Sequence, residues 1–278
     1  VSLGIFLAVL GSAFLHALWN ALIKLGTSKV GGMVILSIVE VPIGLMVVLF
    51  TDAIDRAAVP WVIAAGCTHF AYKFFLTYAY DRGDLSRVYP IARGAAPMVV
   101  ALVGAVFLAD AVTGQEYLAI AVLAAGILLM ARGVFASGED RRLLPFALGS
   151  ACATATYTLI DGMGSRISGV PVAYVAWVFV ADGTFFTLGM VALRGWDVIP
   201  RSFHAWRMGA VASAASFGAY GVSIWAMSYA PIAVVAALRE TSILFAVLIG
   251  WLIFGEKMTG EKAIASVVIV AGVILTRL

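Results

Sequence analysis

The second half of this chain repeats the first, and the repeated unit is almost wholly apolar. Residues 88–129 laid on residues 234–275 at an offset of 146 are identical at eleven of 42 positions. Apolar identities such as Leu102/Leu248 carry little weight in so hydrophobic a sequence. Arg93/Arg239, Gly104/Gly250, Thr113/Thr259, Gly114/Gly260 and Gly126/Gly272 carry more, and Asp110/Glu256 adds a matched acid at the same bend. Upstream, Gly11-Ser12-Ala13 falls on Gly149-Ser150-Ala151 at an offset of 138. A duplicated unit of membrane-crossing length points to a transporter built from two related halves.

Composition places the chain in a bilayer. Hydrophobic residues make up 63% and charged residues 12% of 278 positions, and mean hydropathy is +1.05. A soluble domain is about 45–50% apolar and about 25% charged, so this chain has too little polar surface to cover a core in water. The net charge of +3 is not gathered into the basic stripe that nucleic-acid binding requires, and no nucleic-acid partner is expected. Cys67 and Cys152 lie in apolar runs without CxxC spacing and read as small packing residues, not as a disulfide or metal site. The first apolar segment is span-length and runs into polar residues, unlike the short core of a cleaved signal peptide.

A helix needs about 20 mainly apolar residues to cross the hydrocarbon. Breaks at clustered charges, Gly and Pro predict ten spans, at 3–24, 30–50, 59–80, 86–108, 113–131, 143–166, 170–193, 206–229, 231–254 and 259–277. Ten-residue alternating strands are absent, which excludes a β-barrel. Thr113-Gly-Gln-Glu116 is a capping box, and Thr259 keeps the cap where Lys262 replaces the reciprocal acid. Pro231 suits the first turn of a helix. Pro42, Pro90 and Pro97 lie inside spans, where each removes a backbone hydrogen bond. Gly209, Ala212, Ser213 and Ser216 allow close packing of the eighth span.

Five spans per copy is an odd number, so consecutive copies enter the membrane from opposite sides. The expected fold is therefore all-α: ten transmembrane helices as two inverted-topology five-helix repeats around a central cavity. The first repeat is residues 1–131, the mixed-charge linker 132–142 and the second repeat 143–278. Lysine and arginine number three on the face carrying the termini and twelve on the other. By the positive-inside rule that places the termini outside.

Ionisable groups are costly in hydrocarbon and usually face an interior cavity. His16, Trp19 and Asn20 share one face of span one, and His69, Tyr72 and Lys73 repeat the pattern on span three. Tyr89 and Arg93 lie a turn apart on span four. The second half offers Tyr157 and Asp161 on span six, Tyr220 and Trp225 on span eight, and Arg239 with Glu240 on span nine. Spans two, five, seven and ten are more uniform, apart from Glu40 and Asp182. Spans one, three, four, six, eight and nine are thus expected to ring the cavity, with five and ten as outer supports. Aromatic rings would supply its walls; Arg93 or Arg239 could grip a carboxylate, and Asp161 or Glu240 an ammonium. Such a site suits a zwitterionic amino acid. Either arginine could instead snorkel to lipid headgroups, and either histidine could simply make a packing hydrogen bond.

His16, His69 and His204 match no metal-ligand spacing. GxSxG, HExxH and Walker patterns are absent, so neither catalytic residues nor a cofactor is expected.

His16-Ala-Leu-Trp-Asn-Ala-Leu-Ile-Lys24, Gly83-Asp-Leu-Ser-Arg-Val-Tyr-Pro-Ile-Ala-Arg-Gly-Ala-Ala-Pro97 and Phe254-Gly-Glu-Lys257 before Gly272-Val-Ile-Leu275 resemble the EamA family of the drug/metabolite transporter superfamily. The resemblance spans both halves. It implies a ten-helix inner-membrane carrier exporting amino acids or other metabolites, nearest in kind to aromatic amino-acid exporters of the YddG type. It also implies cytoplasmic termini, against the charge count. The copies diverge where Gly94 meets Glu240 and Pro97 meets Ile243.

The leading expectation is a monomeric secondary transporter in the inner (cytoplasmic) membrane that exports small amphipathic metabolites, amino acids foremost and aromatic ones among them, by alternating access, with the lipid bilayer and a small-molecule substrate as its partners. Transport of a drug, nucleoside or sugar-like metabolite is the alternative. A membrane-embedded enzyme would need a convergent nucleophile or metal set, and a channel would not need matched gates.

Overall fold

Apolar stretches of about twenty residues become long helices because, in lipid, every backbone polar group must be satisfied within its own segment. The computed structural model describes residues 2–26, 28–82, 112–136 and 142–276, with positions 88, 92, 100, 101 and 103. Its helices are α1 (Leu3–Leu25), α2 (Lys29–Leu49), α3 (Val59–Tyr80), α4 (Gly114–Ala136), α5 (Leu143–Ser168), α6 (Pro171–Arg194), α7 (Phe203–Met227), α8 (Ile232–Arg239), α9 (Ser242–Leu252) and α10 (Gly260–Leu275). No strand occurs among the described residues. Six spans among them are long and apolar enough to cross a membrane, α8 and α9 together forming one. The protein is a multi-pass membrane protein.

Helix ends fall within a few residues of the expected spans. The exception is α4, which runs on to Ala136 and takes residues 132–136 of the expected linker into its last turns. The span expected at 86–108 lies outside the described residues, apart from isolated positions. Thr113 and Glu116 form the capping box: Thr113 N donates to Glu116 Oε2 at 2.8 Å, and Glu116 N to Thr113 Oγ1 at 3.2 Å. Thr259 caps α10 alone, accepting from Lys262 N at 3.4 Å. Pro42 stays within α2. Cys67 and Cys152 are exposed, so they face outward and do not pack between helices.

Span nine is broken. Glu240 N bonds Ala237 O and Thr241 N bonds Leu238 O, tight i to i+3 contacts, and the Thr241 hydroxyl also donates to Leu238 O at 2.8 Å. A side chain competing for a helix carbonyl is one identifiable cause of a helix break. The break leaves Arg239 at the C-terminal end of α8, where a cation is favoured.

Packing partners come in exchange-related sets. α1 lies along α7 as α3 lies along α5; α2 meets α7 as α3 meets α6; α2 pairs with α6, and α4 with α10. The α4–α10 crossing is reciprocal in detail. A Cβ on Gly126 would lie 2.9 Å from Ile269 N, and one on Gly272 would lie 2.8 Å from Leu123 N. Leu123 and Ile269 are themselves matched at the offset of 146. Small residues that let backbones touch are how helices associate where lipid removes the hydrophobic driving force. End caps are matched as well: Lys24 of α1 donates to Tyr80 O at the end of α3 (3.2 Å), and Arg166 of α5 to Met227 O at the end of α7 (3.1 Å).

Candidate functional site

Two acid-centred clusters lie buried along the helices, each joining the two halves. In the first, Lys73 of α3 donates to Glu40 Oε2 of α2 at 2.5 Å and Ser37 Oγ at 3.0 Å, and pairs with Asp182 Oδ2 of α6 at 2.6 Å. Those three contacts use every N–H of the ammonium. Ser216 of α7 donates to Glu40 Oε1 at 2.9 Å. All three charged side chains are at most 4% exposed. Asp182 Oδ1 is buried and has no hydrogen-bond partner. With every group ionised, the triad carries one net negative charge.

The second cluster surrounds Asp161 of α5. Its Oδ2 accepts from His69 Nε2 at 2.8 Å and from the Tyr220 hydroxyl, and its Oδ1 accepts from the Tyr174 hydroxyl at 3.1 Å. An ionised carboxylate can only accept, so Nε2 carries the His69 proton. The His69 ring stacks on Tyr157 at 4.2 Å and meets Tyr220 edge-on at 5.1 Å. Arg239 lies over the other side of this group, its guanidinium carbon 5.1 Å from the centre of the Tyr220 ring. Arg239 is 3% exposed, and its Nη2 has no hydrogen-bond partner. A ring face attracts a cation, but it cannot accept the in-plane hydrogen bonds of a guanidinium as a carboxylate does.

Between the clusters lies a cavity of about 20 Å³, bordered by His16, Glu40, His69, Lys73, Asp182 and Tyr220. That is room for one water. Larger hollows lie toward the helix ends: about 220 Å³ between α1, α2 and α7, and about 500 Å³ at Val48, Asp52 and Trp177. Both have mainly apolar walls and lack the clustered charges that border the smaller central hollow.

The expected site residues divide as follows. His16, Trp19, His69, Tyr72, Lys73 and Tyr157 line the central cavity. Asn20 does not: its amide bonds His16 O and accepts from the Tyr80 hydroxyl at 2.7 Å, tying α1 to α3. Asp161 stands behind His69 and Tyr220. Arg239 and Glu240 are buried, so Arg239 does not snorkel to lipid. Trp225 is misplaced by the expectation; it is 36% exposed and rests on Tyr229 at 5.5 Å. Tyr89 and Arg93 lie outside the described residues.

The expected ring of spans also changes. α1, α3, α5 and α7 line the hollow, but so do α2 and α6, through Glu40, Phe179 and Asp182. Among the described residues, α4 and α10 contribute no lining residue, and neither do α8 and α9, so Arg239 and Glu240 of the expected ring are not part of the lining. Sequence reasoning set Glu40 and Asp182 aside because their helices are otherwise uniform. The signal that finds them is Lys73: an ammonium in mid-span requires an acid within reach, and these are the mid-span acids of the neighbouring helices. Ser37, Tyr174 and Ser216 carry no comparable signal.

Residues 142–278 match the EamA-like transporter family. The second half is thus similar to an EamA-like transporter domain. It runs from α5 to α10 and supplies Asp161, Asp182, Tyr220 and Arg239, while His69, Lys73 and Glu40 reach them from the first half. A solved chain described only as the crystal structure of a protein superposes with a TM-score of 0.75 at 15% identity, over 99% of this chain and 98% of its own. That likeness shows a shared fold. No curated protein matches the sequence. Among the described residues, no group of three His, Cys, Asp or Glu side chains could hold a metal ion.

Proposed function

We propose that this protein is a monomeric secondary transporter of the inner membrane, which exports small zwitterionic metabolites, amino acids foremost and aromatic ones among them, by alternating access. The observation that carries the reading is a pair of buried, opposite, unsatisfied groups: Arg239 Nη2 and Asp182 Oδ1. A carboxylate on Arg239 and an ammonium on Asp182 would satisfy both, with Tyr220, Tyr157 and Phe179 offering ring surface to the side chain. Asp161 is a weaker ammonium acceptor than expected, because three donors already occupy it.

In this reading the chain is two inverted five-helix units. Support comes from the odd span count, the sequence offset and the exchange-related packing of α1–α7 with α3–α5. The central cavity lies between the halves, and in this reading access to it opens by rocking one half against the other. The break between α8 and α9 puts a bend beside Arg239. A transporter-family domain also fits a chain without enzymatic chemistry.

Counterflow into liposomes containing only this protein tests the reading. A labelled amino acid from a full panel should exchange saturably, and Arg239→Gln should abolish exchange while leaving folded yield intact. L-phenylalanine should compete better than 3-phenylpropionate or phenethylamine, each of which lacks one charge. Absence of saturable exchange for every amino acid would sink the substrate class.

A further inference from the structure

The Lys73 triad holds more carboxylate than its cation can neutralise. Lys73 spends all three N–H groups on Glu40, Asp182 and Ser37, which fixes it as the ammonium. Glu40 is satisfied on both oxygens, by Lys73 and Ser216. Asp182 borders the central hollow and is satisfied on one oxygen only, its buried Oδ1 having no hydrogen-bond partner. A net negative charge in so dry a place is costly, and one proton removes it. Other titratable groups facing the hollow are His16 from α1, His69 and Tyr72 from α3, Tyr157 from α5 and Tyr220 from α7. His69 and Tyr220 are engaged with Asp161, and His16 accepts from Trp19 Nε1 at 3.3 Å. Among the described carboxylate oxygens of the two clusters, Asp182 Oδ1 is the one without a donor.

We propose that Asp182, held between Lys73 and the central cavity, is a proton site whose Oδ1 takes either a proton or the ammonium group of the substrate, so that each substrate bound releases one proton. The step is a simple transfer: the Oδ1–H bond breaks, its electron pair stays on the carboxylate, and the proton leaves to water. An N–H of the substrate ammonium then donates to the vacated oxygen. The triad stays neutral when protonated, and the combined site stays neutral when the substrate replaces the proton. Glu40 acts as a positioning residue, since it takes up part of the Lys73 charge that would otherwise hold Asp182 ionised. Competition for one oxygen couples substrate movement to proton movement in the opposite direction.

This inference rests on the ammonium half of the reading above, and two measurements separate the failures. Infrared difference spectra of the protein in lipid are recorded between about pH 6 and about pH 9, where exposed carboxylates, with pKa about 4, do not titrate. Wild type should show the C=O stretch of a protonated carboxylic acid at the lower pH, and the band should move to lower frequency when the aspartates carry carbon-13 in the side-chain carboxyl; a band that does not move puts the proton on Glu40 and overturns the assignment to Asp182. Asp182→Asn should lose that band, and so should Glu40→Gln, in which Lys73 and an ionised Asp182 already form a neutral pair. The exposed control Asp197→Asn should keep it. A band that persists in both triad variants, or is missing from wild type, overturns the proton site whatever the transport result. Proton release into weak buffer on adding L-phenylalanine should then be one per molecule bound, and zero in Glu40→Gln. Binding without release overturns the competition, while a titrating band lost in Asp182→Asn without any binding overturns the substrate reading and leaves the proton site standing.

Discussion

Asp161 and Asp182 look alike in the sequence, each a lone acid in a long apolar run, yet their surroundings differ in kind. Asp161 receives three hydrogen bonds from three different helices, one to Oδ1 and two to Oδ2. Asp182 makes one ion pair and keeps an oxygen bare. A carboxylate whose oxygens are filled by protein donors is a fastener, joining α3, α6 and α7 to α5. One with an empty lone pair beside a hollow is poised for a ligand. Counting donors therefore separates the two acids where burial cannot, since both are at most 2% exposed.

Mutations that unbalance the two acids should show the difference, and the largest effect belongs to Lys73. Lys73→Met leaves Glu40 and Asp182 facing each other without a cation, at a cost of roughly 3–5 kcal/mol. Thermal unfolding in detergent should drop accordingly, and adding Glu40→Gln with Asp182→Asn should restore most of the loss. Next comes Asp161→Asn, which weakens three contacts at once and should cost roughly 2–3 kcal/mol. Asp182→Asn should stay within about 1 kcal/mol of wild type, because it leaves a neutral Lys73–Glu40 pair; equal losses in the two variants would erase the contrast drawn above. Gly126→Ala and Gly272→Ala should each cost about 1–3 kcal/mol by forcing a methyl against backbone, and unequal costs would show that the α4–α10 crossing is less reciprocal than its geometry. Smallest is Trp225→Ala, expected within about 0.5 kcal/mol of wild type and with unchanged counterflow.

Helix positions were legible because bilayer thickness sets the length of an apolar run, and caps such as Thr113 and Thr259 mark its ends. Residues that would be costly in lipid, namely His69, Lys73, Asp161 and Arg239, were legible as interior for the same reason. Partners were not. Lys73 finds Glu40 33 positions away and Asp182 109 away, and no periodicity within one helix encodes which neighbour will face it. Asn20 shares a face with His16, but its amide is consumed by α1's own backbone and by Tyr80. Trp225 was misjudged because α7 carries small residues on several sides, Gly209, Ala212, Ser213 and Ser216 among them, so composition alone does not tell its inner face. The break after Arg239 was equally hidden, since Thr241 breaks a helix only when its hydroxyl turns back to a carbonyl.

The paired glycines of α4 and α10 constrain how the molecule can move. Gly126 rests on the backbone at Ile269 and Gly272 on the backbone at Leu123. If one helix slid along the other, both glycines would leave their seats together, and side chains bearing a Cβ would be driven against main chain at two points. Turning about the crossing disturbs neither seat nearly as much. Close seating at two points resists translation more than rotation about the crossing, whose axis passes between two residues that lack side chains.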